Sequence, residues 1–210
     1  MLMLLPAPSG VDRWVRYIGL MITQTHRFKC IVAALFLGVG FSLPLPVSAQ
    51  DEQTPLDQLY QELLGADEDS YARIERQIIA QWEKSGSPAM DLLLRRGQEA
   101  LQEGNPDVAV QHFSAVVDHA PEFSEGYFGR ATSYYAMGLI GPALSDIETT
   151  LRLNPRHFEA MRGLANIMRE LERVDDALEL YALILELNPQ SPEARQAVDT
   201  LQVELEGRAL

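Results

Sequence analysis

Three prolines, Pro121, Pro155 and Pro189, stand 34 residues apart, and that interval constrains the chain more than any other feature. Shifting the sequence by 34 aligns Gly97 with Ala131 and Ala165, Ala109 with Ala143 and Ala177, and Phe113 with Ile147 and Tyr181. Further columns pair Leu93, Tyr127 and Met161; Ala100, Tyr134 and Met168; and Val116, Thr150 and Ile184. The units are Met90–Phe123, Ser124–His157 and Phe158–Ser191. A unit this short cannot enclose a core, so consecutive units must stack and share one. That excludes an ordinary globular domain with a single closed core.

Each unit divides into two helices at a turn: Gly104-Asn105-Pro106, Gly138 to Pro142, and Glu172 to Asp175 lie at the same phase. Glycine suits a helix C-terminus and proline a first helical turn. Apolar residues follow a helical period, as in Ala109, Val110, Phe113, Val116 and Val117, and again in Ala177, Leu178, Tyr181, Ile184 and Leu185. Small residues in the 97 and 109 columns let paired helices approach, larger ones fill the space between units, and proline stops each second helix.

These residues resemble the tetratricopeptide repeats, most strongly in DVAVQHFSAVVDHAP, GPALSDIETTLRLNP and DDALELYALILELNP. The resemblance implies an all-α solenoid of three helix-turn-helix repeats, residues 90–123, 124–157 and 158–191. It departs from the family at Leu93, Tyr127 and Met161, where tryptophan is frequent, and at Arg96 and Arg130, where an aliphatic residue is usual.

A solenoid must cover its end faces. Residues 192–210 supply a C-terminal capping helix and tail, with Ala194, Ala197, Val198 and Leu201 toward the third repeat, and the tail after Glu206 is expected to be unstructured. Residues 50–89 supply an N-terminal helical cap: Leu56–Leu64 and Ser70–Glu83 read as helices, the second with Tyr71, Ile74, Ile78 and Trp82 on one face. The pair does not align with the 34-residue period, and Leu56–Leu64 also reads as a detachable docking segment.

Residues 1–49 differ in composition. Arg13, Arg16, Arg27 and Lys29 face one acid, Asp12, and the uncharged run Cys30–Leu43 ends in PLPVSAQ. Basic region, apolar run and small residues at Val47-Ser48-Ala49 form a secretory signal peptide. A start at Met21 gives the leader an ordinary length. Cleavage after Ala49 leaves 161 residues without cysteine, carrying 13 basic and 29 acidic side chains. The expected location is the bacterial periplasm; the alternative is an inner-membrane anchor formed by residues 30–43.

The whole chain carries −13, which argues against binding nucleic acid, since that depends on basic residues neutralising phosphates. No phosphate-cradling glycine loop, HExxH or calcium-loop pattern is present, and His112 and His119, two helical turns apart, make no metal clamp. The expectation is a protein that is not an enzyme and uses neither cofactor nor metal.

The family resemblance implies a concave groove lined by the first helix of each repeat, where peptide segments bind. The columns facing it hold Asp91, Leu94, Gln98 and Leu101; Glu125, Phe128, Thr132 and Tyr135; and Glu159, Arg162, Asn166 and Arg169, and all but the three acids are the candidate binding residues. Leu94, Leu101, Phe128 and Tyr135 would form an apolar floor. Arg162, Asn166 and Arg169 share a helical face and resemble residues that grip a carboxylate in some members. The expected role is an interaction scaffold or adaptor for a protein or peptide partner, without stable membrane insertion after cleavage. The alternative is an accessory subunit of an envelope complex that uses its convex face or caps.

Overall fold

A computed structural model describes residues 54–208; the expected leader and its cleavage site lie outside them. The described residues form nine α-helices and no strand. Helices α1 (Pro55–Leu64) and α2 (Tyr71–Trp82) make a hairpin. Three helix pairs follow: α3 (Pro88–Gln102) with α4 (Pro106–His119), α5 (Ser124–Ala136) with α6 (Ile140–Leu153), and α7 (Phe158–Glu170) with α8 (Val174–Leu187). Helix α9 (Pro192–Arg208) closes the array and runs past the expected helix end at Glu206.

The three turns share one geometry. The Asn105, Leu139 and Arg173 amides donate to the carbonyls of Ala100, Tyr134 and Met168 at 2.8, 2.9 and 2.8 Å. The Gly104, Gly138 and Glu172 amides donate three residues back. This paired pattern ends a helix through one left-handed residue. Gly104 and Gly138 adopt φ of 77° and 73°, and Glu172 takes the same role at 57°.

Packing between repeats turns on Phe113, which is fully buried. A Cβ added at Gly97 would lie 2.6 Å from its ring, and one at Gly129 would lie 2.4 Å away. The ring is therefore wedged between α3 and α5, and those two helices touch. In the next repeat Ala131 occupies the Gly97 column and the smaller Ile147 replaces the ring. A Cβ at Gly163, the counterpart of Gly129, would lie 3.8 Å from Ile147 Cδ1. One junction is tight and the other slack.

Arg130, an outlier to the family pattern, is absorbed by the fold. Its Nε and Nη2 donate to the Asp146 carboxylate at 2.7 and 2.9 Å, tying α5 to α6. A planar guanidinium meeting a carboxylate through two parallel bonds fixes geometry as well as charge. Arg96 is exposed.

The N-terminal hairpin does not stack on the first repeat. It folds back onto the second and third, where Tyr60, Leu63, Ile74, Ile78 and Trp82 share one core with Ile147, Phe158 and Leu187. Trp82 stacks on His157 and meets Phe158, with ring centroids 4.3 and 4.7 Å apart. Arg156 lies over the Tyr60 ring at 4.0 Å and bonds Asp57 at 2.8 Å. The Tyr60 hydroxyl donates to the Arg156 carbonyl at 3.1 Å.

The first repeat carries its own end face. The columns of Gly126, Arg130 and Ser133 on α5, and of Ala160, Leu164 and Ile167 on α7, are buried or half-buried, and a Cβ at Gly126 would lie 2.8 Å from Val116 of the preceding helix pair. On α3 the same columns carry Leu92, Arg96 and Glu99, all exposed. A largely charged face needs no cover, so the apolar hairpin is stabilised elsewhere. At the other end Ala194 and Leu201 are buried against the third repeat, while Arg195, Asp199 and Glu206 are exposed.

Candidate functional site

The slack junction opens a cavity of about 380 Å³ between α5 and α7. Ala131, Ile147, Gly163 and Ile167 form its back, and Phe128, Thr132, Tyr135, Glu159, Arg162 and Asn166 its rim. A second hollow of about 420 Å³ continues past Tyr135 and Asn166 to Arg169, Glu170, Val174 and Glu204. Six of the nine candidate groove residues therefore come together: Phe128, Thr132, Tyr135, Arg162, Asn166 and Arg169.

The other three do not join them. Leu94 is 2% exposed and packs with Ala100, Ala109 and Phe113 in a separate small core. It lies off the groove surface because the glycines around Phe113 bring α3 and α5 together. Leu101 packs against the same core. Gln98 is half-buried, its amide donating to Glu83 Oε1 at 2.7 Å, so the linker after the hairpin takes up its polar end.

Within the cavity the polar groups have internal partners. Arg162 bonds Glu193 and, more loosely, Glu159 at 3.5 Å. Asn166 Oδ1 accepts from the Tyr181 hydroxyl at 2.9 Å, whose titration burial raises against the nearby positive charge of Arg169. The Tyr135 hydroxyl donates to Glu170, which pushes its own titration up. Burial raises the Glu159 carboxyl, against the opposing pull of the Arg162 guanidinium. Burial likewise raises Glu75, which approaches Arg162 from the hairpin.

Two residues beyond these nine shape the site. Glu159, which stands in the third repeat's groove-facing columns, is one. The other is His157, which is fully buried. The Ala160 amide donates to its Nδ1 at 3.1 Å, capping α7, so Nε2 carries the proton and donates to Glu125 Oε1 at 2.9 Å. The ring meets Phe128 on one side and Trp82 on the other, which joins groove to hairpin. Its place at a repeat boundary was readable as a helix end; its burial depends on the hairpin. Among the described residues no group of three or more metal-ligating side chains is assembled, and no helix is long and apolar enough to cross a membrane.

Stacked helix pairs with an open hollow on their first helices define a repeat protein of the α-solenoid class. The family model described as tetratricopeptide repeat matches residues 94–139 and 128–192. A TPR repeat-containing protein of Rhizobium etli is 30% identical over 153 residues, covering 72% of this chain and 75% of that protein. The chain belongs to the tetratricopeptide repeat family. DnaJ homolog subfamily C member 3 of Homo sapiens is 28% identical over 108 residues, 51% of this chain but 21% of that protein. Among solved structures, the first TPR of Spaghetti (RPAP3), bound to an HSP90 peptide, gives a TM-score of 0.54 at 22% identity, covering 57% of this chain and 98% of that one. The crystal structure of MamA protein gives 0.52 at 19% identity, covering 74% of this chain and 81% of that one.

Proposed function

We propose that this protein is a non-catalytic adaptor that holds a peptide segment of a partner protein in the hollow between α5 and α7. The observation that carries the reading is the cavity of about 380 Å³ with an aromatic and polar rim. A recess with an apolar back and a few fixed polar groups suits an anchoring side chain. The Spaghetti domain bound to an HSP90 peptide supports this mode of use.

A photo-reactive residue placed at Thr132 should cross-link the partner in intact cells, whereas one at Ala182, exposed on α8, should not. Cross-links from Ala182 alone would replace this reading with the accessory-subunit one. The basic, apolar and small-residue leader supports export to the periplasm. N-terminal sequencing of the periplasmic fraction should then begin at Gln50. A chain retaining residues 30–43 would refute cleavage and favour the inner-membrane anchor.

A further inference from the structure

We infer that the segment held in this groove is cationic: it brings a lysine or arginine side chain to Glu159 and lays apolar side chains against Phe128 and Tyr135. This rests on the groove reading above and specifies the partner that reading leaves open.

Carboxylates outnumber cations around the cavity, and Arg162 is already paired. Glu159 lines the cavity, Glu170 and Glu204 line the hollow beyond it, and Glu75 and Glu193 flank Arg162 at the hairpin side. Against these five carboxylates stand the guanidiniums of Arg162 and Arg169, with Arg76 beside Glu75. Arg162 is turned to Glu193, leaving Glu159 the longer contact of 3.5 Å. Arg169 lies in the second hollow beside Glu170 and Glu204. A carboxylate entering the cavity would meet surplus negative charge and, in Arg162, a cation already paired. An ammonium or guanidinium entering beside Glu159 would relieve that surplus. Burial disfavours the charged Glu159 carboxylate, so a cationic partner gains from satisfying it. The partner chemistry is thus opposite to the carboxylate grip that Arg162, Asn166 and Arg169 suggest from sequence.

The test pans a random dodecapeptide library displayed on phage against the immobilised chain. Enriched peptides are then synthesised with a fluorescein label and titrated by anisotropy. Lysine or arginine beside leucine or an aromatic residue should be enriched. Glu159→Gln should weaken the winning peptide about tenfold, and Glu179→Gln, an equal charge change on the exposed face of α8, less than about twofold. Arg162→Gln should leave affinity unchanged or raise it. Thermal unfolding by circular dichroism verifies that each variant folds, and the Glu159→Gln result stands alone if Arg162→Gln does not.

Enrichment of aspartate, glutamate or a free C-terminal carboxylate overturns the cationic inference while leaving the groove reading intact. So does indifference to Glu159→Gln in a peptide that Thr132→Trp still excludes. Peptides insensitive to Thr132→Trp, or no enrichment at all, overturn the groove reading and this inference together.

Discussion

Replacing Gly97 by alanine should destabilise this protein, although the same residue type occupies the equivalent positions 131 and 165. In an exposed helix, glycine to alanine gains about 1 kcal/mol. Here the new methyl would sit 2.6 Å from the Phe113 ring. Ordinary contact begins near 3.4 Å, so the ring must retreat by most of an ångström. It cannot retreat toward Gly129, where a Cβ position lies 2.4 Å from the same ring. Overpacking of this kind costs about 1–3 kcal/mol. With the ring hemmed on both sides the upper part of that range applies, about 2–3 kcal/mol, and after the propensity gain a net loss of about 1–2 kcal/mol remains.

Phe113→Ile alone empties a fully buried site and should cost about 2 kcal/mol. Joined with Gly97→Ala, it recreates the set that the second repeat uses, Ala131, Ile147 and Gly163. The two losses should therefore cancel in part, with a coupling of at least about 1 kcal/mol. Gly163→Ala is the control with opposite sign: its methyl meets Ile147 at an ordinary 3.8 Å, so only the gain of about 1 kcal/mol remains. Urea unfolding followed by circular dichroism reads all four variants. With a slope of about 2 kcal/mol per molar, a change of 1.5 kcal/mol moves the midpoint by roughly 0.7 M. A Gly97→Ala variant as stable as the parent, or strictly additive losses in the double variant, would refute the wedge.

Glu172→Gly should raise stability by about 1 kcal/mol, because Glu172 holds the left-handed conformation that glycine fills at 104 and 138. A thermal midpoint unchanged or lowered would contradict that. Truncation to residues 88–210 removes Tyr60, Leu63, Ile78 and Trp82 from the shared core, each worth about 2 kcal/mol of burial. The melting temperature should fall by roughly 10 °C or more, and an unchanged melt with unchanged solubility would show that the hairpin is dispensable. Capture of a lysine-bearing peptide needs the Glu159 carboxylate charged, and burial raises that group's titration. Affinity is therefore complete well above that titration and fades as pH falls through it. The loss begins at a higher pH than ordinary surface carboxylates require, and Glu159→Gln should flatten the early part of the profile measured by anisotropy.

The repeat register was legible because it rests on columns that recur: prolines after second helices, small residues at 97, 131 and 165, and glycines at two of the three turns. Glu172 hid the third turn's geometry, since a carboxylate gives no sign of a left-handed backbone. The groove was legible by column in the second and third repeats and not in the first. Leu94 and Phe128 share a column, yet one is sealed and the other lines a cavity. Phe113 between two glycines draws α3 onto α5, whereas Ile147 beside Ala131 and Gly163 leaves α5 and α7 apart. Groove access was thus decided by a neighbouring column.

The hairpin's position follows from the same kind of comparison. Helical periodicity gave α1 and α2 an apolar face without naming the surface that receives it. The information lay in the first repeat, whose outward columns at 92, 96 and 99 hold Leu, Arg and Glu where later repeats hold Gly, Arg and Ser, or Ala, Leu and Ile. A charged end face gives an apolar hairpin little to gain. The boundary between the second and third repeats offers His157 and Phe158 to Trp82, and Arg156 to Tyr60 and Asp57. Docking there buries His157 against Phe128, which lines the cavity. The hairpin thus reaches the cavity through His157 and Phe128, and its own Glu75 comes up beside Arg162 at the rim.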